Sequence, residues 1–326
     1  MKTTVVITGA SSGIGRATAH EFARKGASLV LASRRHDALA EVVAECEDLG
    51  AEAIAVVTDV SDSAQVKHLA NTAIKHFGTL DVWVNNASVA AYGSILSIPL
   101  DDFRRVLDVN VMGYVYGARE ALQAFSYTGR GALINVASVI GEVPQPYSAP
   151  YSMSKAAVLA LGTALRQEVA LGDHDRISVS TVLPATTDTP FFRHAANYSG
   201  RALRAMPPVY PPELVAKAIV RASTRPQPEI VIGAAGKTFV RAHRRHPRSV
   251  ETQMATLTNV AQLSPRESAP DTTGNLYTLP PTDDGSVTGG WDGSRRHAFR
   301  KAVTSALVVG AGALAAVRLA RSAGPR

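Results

Sequence analysis

The chain has one cysteine in 326 residues, which excludes an intramolecular disulfide and suits a reducing compartment. That residue, Cys46, falls in a helical stretch between two strand patterns and reads as structural. Nine histidines are present, but none stands at metal-ligand spacing, so no metal site is expected. No apolar leader precedes the first strand pattern, which begins at Thr4; no secretory signal is expected, and the cytoplasm is the expected location. The net charge of +7 comes with no nucleic-acid-binding motif. Much of it sits in residues 241–248 and in basic clusters near the C-terminus. A cofactor phosphate or an anionic lipid is therefore a more economical partner than nucleic acid, which is not expected.

What the chain does have is apolar residues, 46% of the total, enough for a sizeable core. Residues Thr4 to Thr8 are β-branched and apolar, as a buried parallel strand should be. After them, Ile14, Ala17, Ala19, Phe22 and Ala23 recur at helical spacing. Between the two patterns runs Thr8-Gly9-Ala10-Ser11-Ser12-Gly13-Ile14-Gly15, a strand-to-helix turn. Its glycines permit unusual φ and a close backbone approach to a ligand. The helix that follows presents N–H groups and its positive dipole end to a phosphate. A glycine trio alone fits any tight turn; the strand–turn–helix context favours nucleotide binding.

A second constellation lies near mid-chain. Residues Gly131 to Ala137 form an apolar strand, and Ser138 stands at its carboxyl end, the edge where ligands bind in open α/β sheets. Tyr151 and Lys155 open the next helix. At i and i+4 they share one helix face, so both head groups reach one pocket. A tyrosine titrates near pH 10 and is a poor base at neutrality. A nearby ammonium favours the phenolate and lowers that value, as acid–base catalysis requires.

Thr-Gly-x-x-x-Gly-x-Gly, followed by Asn85-Asn86-Ala87, Ser138 and Tyr-x-x-x-Lys, resembles the short-chain dehydrogenase/reductase family over about residues 1–250. The resemblance implies a Rossmann-like, doubly wound parallel sheet with helices on both faces, here with a C-terminal extension. It implies hydride transfer between a nicotinamide cofactor and a carbonyl or secondary alcohol, and assembly as a homodimer or homotetramer. Catalysis would fall to Ser138, Tyr151, Lys155 and Asn110. Ser138 and Tyr151 would hold the substrate oxygen, Tyr151 would carry its proton, Lys155 would hold the nicotinamide ribose, and Asn110 would hold a relay water. An Asn flanked by Val109 and Val111 inside a helix breaks a local rule, and such breaks tend to mark function; the alternative is a solvent-facing Asn.

The cofactor would lie along Gly9, Ser11, Ser12, Gly13, Ile14 and Gly15. The second strand ends in Ser33-Arg34-Arg35, with no acid to hold a free 2′-hydroxyl. Two guanidiniums there suit a phosphate, so NADP(H) is expected through Ser33 and Arg34, with NAD(H) as the alternative. Asp59 and Val60 would flank the adenine, although Asp59 also reads as a helix cap. Asn86 and Ala87 would lie along the cofactor, with Asn85 supporting them; Ser88 stands where the family has glycine. Pro184, Thr186 and Thr189 would meet the nicotinamide carboxamide, with Ala185 replacing the usual glycine. Phe191, Phe192, Tyr198 and Met206 would form a lid over a substrate with an apolar body.

The family resemblance covers a catalytic domain over residues 1–250, and a helical extension is expected over 251–263. Residues 264–297 are rich in Ser, Pro, Thr, Asp and Gly and read as a flexible polar linker. Residues 298–321 form a basic-flanked apolar helix whose uncharged core, 302–317, makes about 24 Å of helix against about 30 Å of hydrocarbon. Flanking arginines could stretch it to a membrane anchor; the alternative is a helix buried between subunits. The competing functional reading is a cofactor-binding scaffold without turnover; an NAD-dependent alcohol dehydrogenase is the runner-up among enzymes.

Overall fold

A computed structural model describes residues 2–172, 175–278 and 285–293. The first half runs β1 (Thr4–Thr8), α1 (Gly13–Ala23), β2 (Ser28–Ser33), α2 (His36–Asp48), β3 (Glu52–Val57), α3 (Ser63–Phe77) and β4 (Val82–Asn85). The second half runs through short β5 (Ala91–Tyr92), α4 (Leu100–Leu107), α5 (Gly113–Thr128), β6 (Gly131–Val136), α6 (Ala149–Leu171) and β7 (Ile177–Pro184). Short α7 (Phe191–His194), β8 (Ala196–Asn197) and β9 (Arg201–Leu203) lead to α8 (Pro212–Ala222) and β10 (Glu229–Ile232). The chain continues through α9 (Ala234–Arg245), α10 (Pro247–Leu257) and β11 (Leu263–Ser268).

Seven parallel strands pair in the order β3-β2-β1-β4-β6-β7-β10. This is the doubly wound α/β architecture expected from the sequence. Alternate side chains of each strand face opposite helix layers. Val6, Val30, Trp83 and Leu133 pack with Leu69 of α3 and Phe125 of α5. Val5, Ile7, Leu29, Leu31 and Ile134 pack with Phe22 of α1, Leu39 of α2 and Ile219 of α8. Cys46 of α2 is fully buried in that second layer. Between β1 and β4 the winding reverses direction, and the carboxyl ends of the strands part into a crevice there.

The helix expected around Asn110 is interrupted at that residue. Between α4 and α5 the chain makes a π turn, Asp108–Met112, with Asn110 in its middle. Such bulges widen a helix locally and are frequent at functional sites.

The described part of 264–297 differs from the linker expected there. β11 pairs antiparallel with β9, Leu276 is fully buried, and residues 285–293 lie against the glycine turn. Residues 302–317 lie outside the described residues. Among the described residues no helix is long and apolar enough to cross a membrane.

Candidate active site

The crevice is built from two turns tied to each other. Thr8 Oγ1 accepts from Asn86 N at 3.0 Å and Ala87 N at 3.2 Å. Asn86 Nδ2 in turn donates to the carbonyls of Thr8 at 2.9 Å and Gly9 at 3.2 Å. Gly9 sits at φ 67°, and a Cβ on it would lie 2.8 Å from Ala87 Cα, so the close approach requires glycine. A Cβ on Gly15 would collide with the Gly9 carbonyl, so this glycine seats α1 against the turn. Asn85 ties strand ends: it accepts from Trp83 Nε1 at 2.8 Å and donates to the Tyr114 carbonyl at 3.1 Å and Asn135 Oδ1 at 3.0 Å.

Ser138, at the end of β6, and Tyr151 and Lys155, in the first two turns of α6, converge from two elements. Lys155 is 1% exposed, and its ammonium donates to the Val136 carbonyl at 2.9 Å and to Tyr114 Oη at 3.4 Å. It stands 5.6 Å from the centre of the Tyr151 ring. Burial pulls Lys155 down to about 7. The sequence suggested that this ammonium lowers the Tyr151 pKa. Instead burial raises the Tyr151 phenol, with the Ser138 hydroxyl working in the opposite direction. Desolvation of the buried phenolate outweighs the hydrogen bond from Ser138.

Asn110 is fully buried behind them. Its Oδ1 accepts from Val89 N at 2.9 Å, and its Nδ2 donates to the Val89 carbonyl at 2.8 Å and Ser154 Oγ at 3.0 Å. The carboxamide therefore pins the Val89 segment to the helix of Tyr151.

One cavity of about 310 Å³ joins these parts. Gly9, Ser11, Ser12, Gly13 and Ile14 line it, as do Ser33, Arg34, Asp59, Val60, Asn86 and Ala87. Ser138, Tyr151, Lys155, Pro184, Thr186 and Thr189 line it as well. Of the expected site residues, Gly15 and Asn110 stand behind its wall. Phe191, Phe192 and Met206 of the expected lid are on it, joined by Tyr92, Gln145, Phe239, Met254, Leu257 and Asn275, which the sequence did not single out. Met254 and Leu257 lie at i and i+3 of α10, a pairing indistinguishable from core packing in sequence.

The cavity fits a dinucleotide. α1 has no side-chain cap at Ser12, and in its place a backbone carbonyl, that of Ser286, accepts from Gly13 N at the first turn. Among the described residues, Ser88 Oγ and Asn275 Oδ1 are buried on its wall with no hydrogen-bond partner, as expected of groups that meet a ligand. Among the described residues, no cluster of His, Cys, Asp or Glu could hold a metal.

Two expected contacts have other partners. Asp59 takes Arg105 Nη2 at 2.6 Å and both the amide and hydroxyl of Ser61. Burial pushes its carboxyl up, but these bonds outweigh it and hold the pKa below the usual range. Asp62, not Asp59, caps α3. Arg34 donates to the carbonyls of Asn275 at 2.5 Å, Leu276 at 3.0 Å and Tyr277 at 3.1 Å. Further along the same segment, the Ser286 carbonyl accepts from Gly13 N at 3.0 Å and the Gly285 carbonyl from Arg16 Nη1 at 2.8 Å. Asp188 accepts the backbone N–H groups of Gly289, Trp291 and Gly293 at 2.9, 2.9 and 2.7 Å. Trp291 Nε1 donates to the Thr189 carbonyl, and its ring meets Phe192 edge-on.

The chain is similar to known proteins. A family model described as short chain dehydrogenase matches residues 3–198. The oxidoreductase YxnA of Bacillus subtilis is 36% identical over 97% of this chain and 91% of its own length. The 1-deoxy-11-beta-hydroxypentalenate dehydrogenase of Streptomyces avermitilis is 39% identical over 58% of this chain and 70% of its own. A crystal structure of a short-chain dehydrogenase/reductase from Burkholderia phymatum, in complex with NAD, superposes with a TM-score of 0.70 at 30% identity. It covers 76% of this chain and 95% of the other. The match extends through the glycine turn and the Tyr151–Lys155 helix, and on that ground the chain belongs to the short-chain dehydrogenase family of oxidoreductases.

Proposed function

We propose that the protein interconverts a carbonyl and a secondary alcohol with NADP(H), and that Tyr151 is its general acid and base. The observation that carries this reading is the convergence of Ser138, Tyr151 and Lys155 on the cavity that the glycine turn also lines. The nicotinamide, when bound, supplies or accepts the hydride. Ser138 and Tyr151 hold the substrate oxygen through their hydroxyls. In reduction, Tyr151 passes its proton to that oxygen as negative charge develops there. Lys155 in its protonated form, 5.6 Å from the ring centre, stabilises the resulting phenolate. Asn110 fixes the distance between the Val89 segment and α6, and we assign the onward proton relay to its π turn.

The NADP(H) preference rests on Arg34 and Arg35 at a strand end with no carboxylate. Phe191, Phe192, Met206 and Phe239 support a substrate with an apolar body, in keeping with a relative named for a hydroxypentalenate. Assembly as a homodimer or homotetramer follows from the family. Membrane association through 302–317 is the remaining part of this reading, and detergent-free fractionation of the full chain tests it. The activity test is NADPH against NADH oxidation with a panel of apolar ketones and aldehydes. NADPH-selective turnover, lost in Tyr151→Phe, supports the proposal; turnover that survives Tyr151→Phe overturns it.

A further inference from the structure

Arg34 lines the cavity where the adenosine ribose would sit, and its guanidinium is already spoken for by three backbone carbonyls from the far end of the chain. The segment that supplies them is firmly seated. Leu276 is fully buried, and its carbonyl also accepts from Arg105 Nε at 2.9 Å. Asn275 N donates to the His194 carbonyl at 2.8 Å. Tyr277 Oη donates to Asp102 at 2.9 Å, and the Arg105 guanidinium lies over the Tyr277 ring at 5.8 Å. Gly274, at φ 51°, lets the chain pass so close to the His194 carbonyl that a Cβ would collide with it.

This geometry has opposite meanings for the two forms of the cofactor. A 2′-phosphate arriving at Arg34 finds carbonyl oxygens in the positions its own oxygens need, and must displace them. A 2′-hydroxyl is a donor and needs only an acceptor. Asn275 Oδ1 is such an acceptor: it is buried, lines the same cavity and has no partner among the described residues. The side chain that would recognise a phosphate and the segment that opposes it thus meet at one point.

We propose that residues 275–277 are a cofactor-selectivity element, competing with the 2′-phosphate for Arg34 and offering Asn275 to a free ribose hydroxyl. Docking of the segment weakens the NADP(H) preference that Arg34 gives; its release restores that preference in full. The inference rests on the assignment of Arg34 to the 2′-phosphate.

The test is the dissociation constant of NADPH and of NADH, measured by calorimetry on the full chain, on four single variants and on two doubles. Gly274→Val removes the passage beside His194, and Tyr277→Ala removes the Asp102 anchor; either one undocks the segment without touching Arg34. Each should tighten NADPH relative to NADH by about tenfold, the worth of one charge-assisted contact regained. Adding Arg34→Ala to either should erase that gain. Asn275→Ala should weaken NADH several-fold, on the order of one neutral hydrogen bond, and leave NADPH nearly unchanged. An unchanged NADPH-to-NADH ratio in both undocked variants, with Arg34→Ala still weakening NADPH, overturns the competition and leaves the Arg34 assignment standing. If Arg34→Ala affects NADPH in no background, the Arg34 assignment itself fails.

Discussion

The two walls of the cleft are held by opposite kinds of contact. The inner wall is made where strands end, and its side chains bind one another's turns: Thr8 with Asn86, Asn85 with Asn135, Asn110 with Val89. Each such contact demands a particular residue at a particular spacing. The outer wall is backed by residues 275–278 and 285–293, of which Asn275 lines the cavity, and apart from Tyr277 and Trp291 the side chains in these contacts belong to the domain while the extension offers backbone. Arg34 and Arg105 bind its carbonyls, Arg16 binds another, and Asp188 gathers three of its amides. A segment recognised through its backbone needs little beyond the freedom to come close. The glycines at 274, 289 and 293 supply that, since a Cβ on any of them would collide with a core residue.

The sharpest break in the comparison is at the inner wall. Tyr151→Phe removes the acid and base but none of the turn contacts, so kcat should fall by about a thousandfold with cofactor affinity within about twofold. Single-turnover kinetics alongside calorimetry would separate the two. The outer wall should yield next. Asp188→Ala strands three buried amides, at a cost of about 3 kcal/mol, which is roughly a hundredfold loss of hydrogen-exchange protection confined to 285–293. Protection lost across the whole domain would show that the extension and core are one cooperative unit.

A third effect turns on Lys155, whose burial carries a stability cost. Below about pH 7 both folded and unfolded chains hold its proton, and the cost of the buried charge is complete. Between about 7 and 10.5 only the unfolded chain holds it, so stability rises with pH; above 10.5 the cost is gone. Lys155→Met should therefore inactivate the enzyme yet stabilise it by about 2 kcal/mol near neutrality. That gain should vanish above pH 10.5, as thermal melts across the range would show. The smallest effect is at the apolar end: Met254→Ala should raise KM for bulky ketones by several-fold, on the order of 1 kcal/mol, with kcat nearly unchanged.

The inner wall was legible because its chemistry is written in side chains. The glycine spacing, the strand-end asparagines and the Tyr151–Lys155 pair each have a local pattern. Asn110 was visible as a broken helical rule, and the structure resolves it into a π turn whose carboxamide clamps Val89. Less could be read where the partner is distant. Arg105, which claims Asp59, lies 46 positions away on α4, and no local pattern marks it as anything but a helix-surface cation. The extension was read as a linker because its polar composition promises no core. Among its described residues only Leu276 contributes a fully buried apolar side chain, and the backbone contacts that hold the rest leave no compositional trace. Arg34 lines the cavity, but the three distant carbonyls that hold it were not deducible from anything near it.

The lone thiol offers a last consequence. Cys46 is fully enclosed under α2, and burial pushes it up to about 12, so in the closed domain it is both unreachable and uncharged. A maleimide or disulfide dye can react with it only when the layer over β1 and β2 comes apart. Its labelling rate therefore serves as a stopwatch for opening of that half of the molecule, readable without any engineered tag. Run with and without dinucleotide, the same stopwatch would time how far cofactor binding slows the opening.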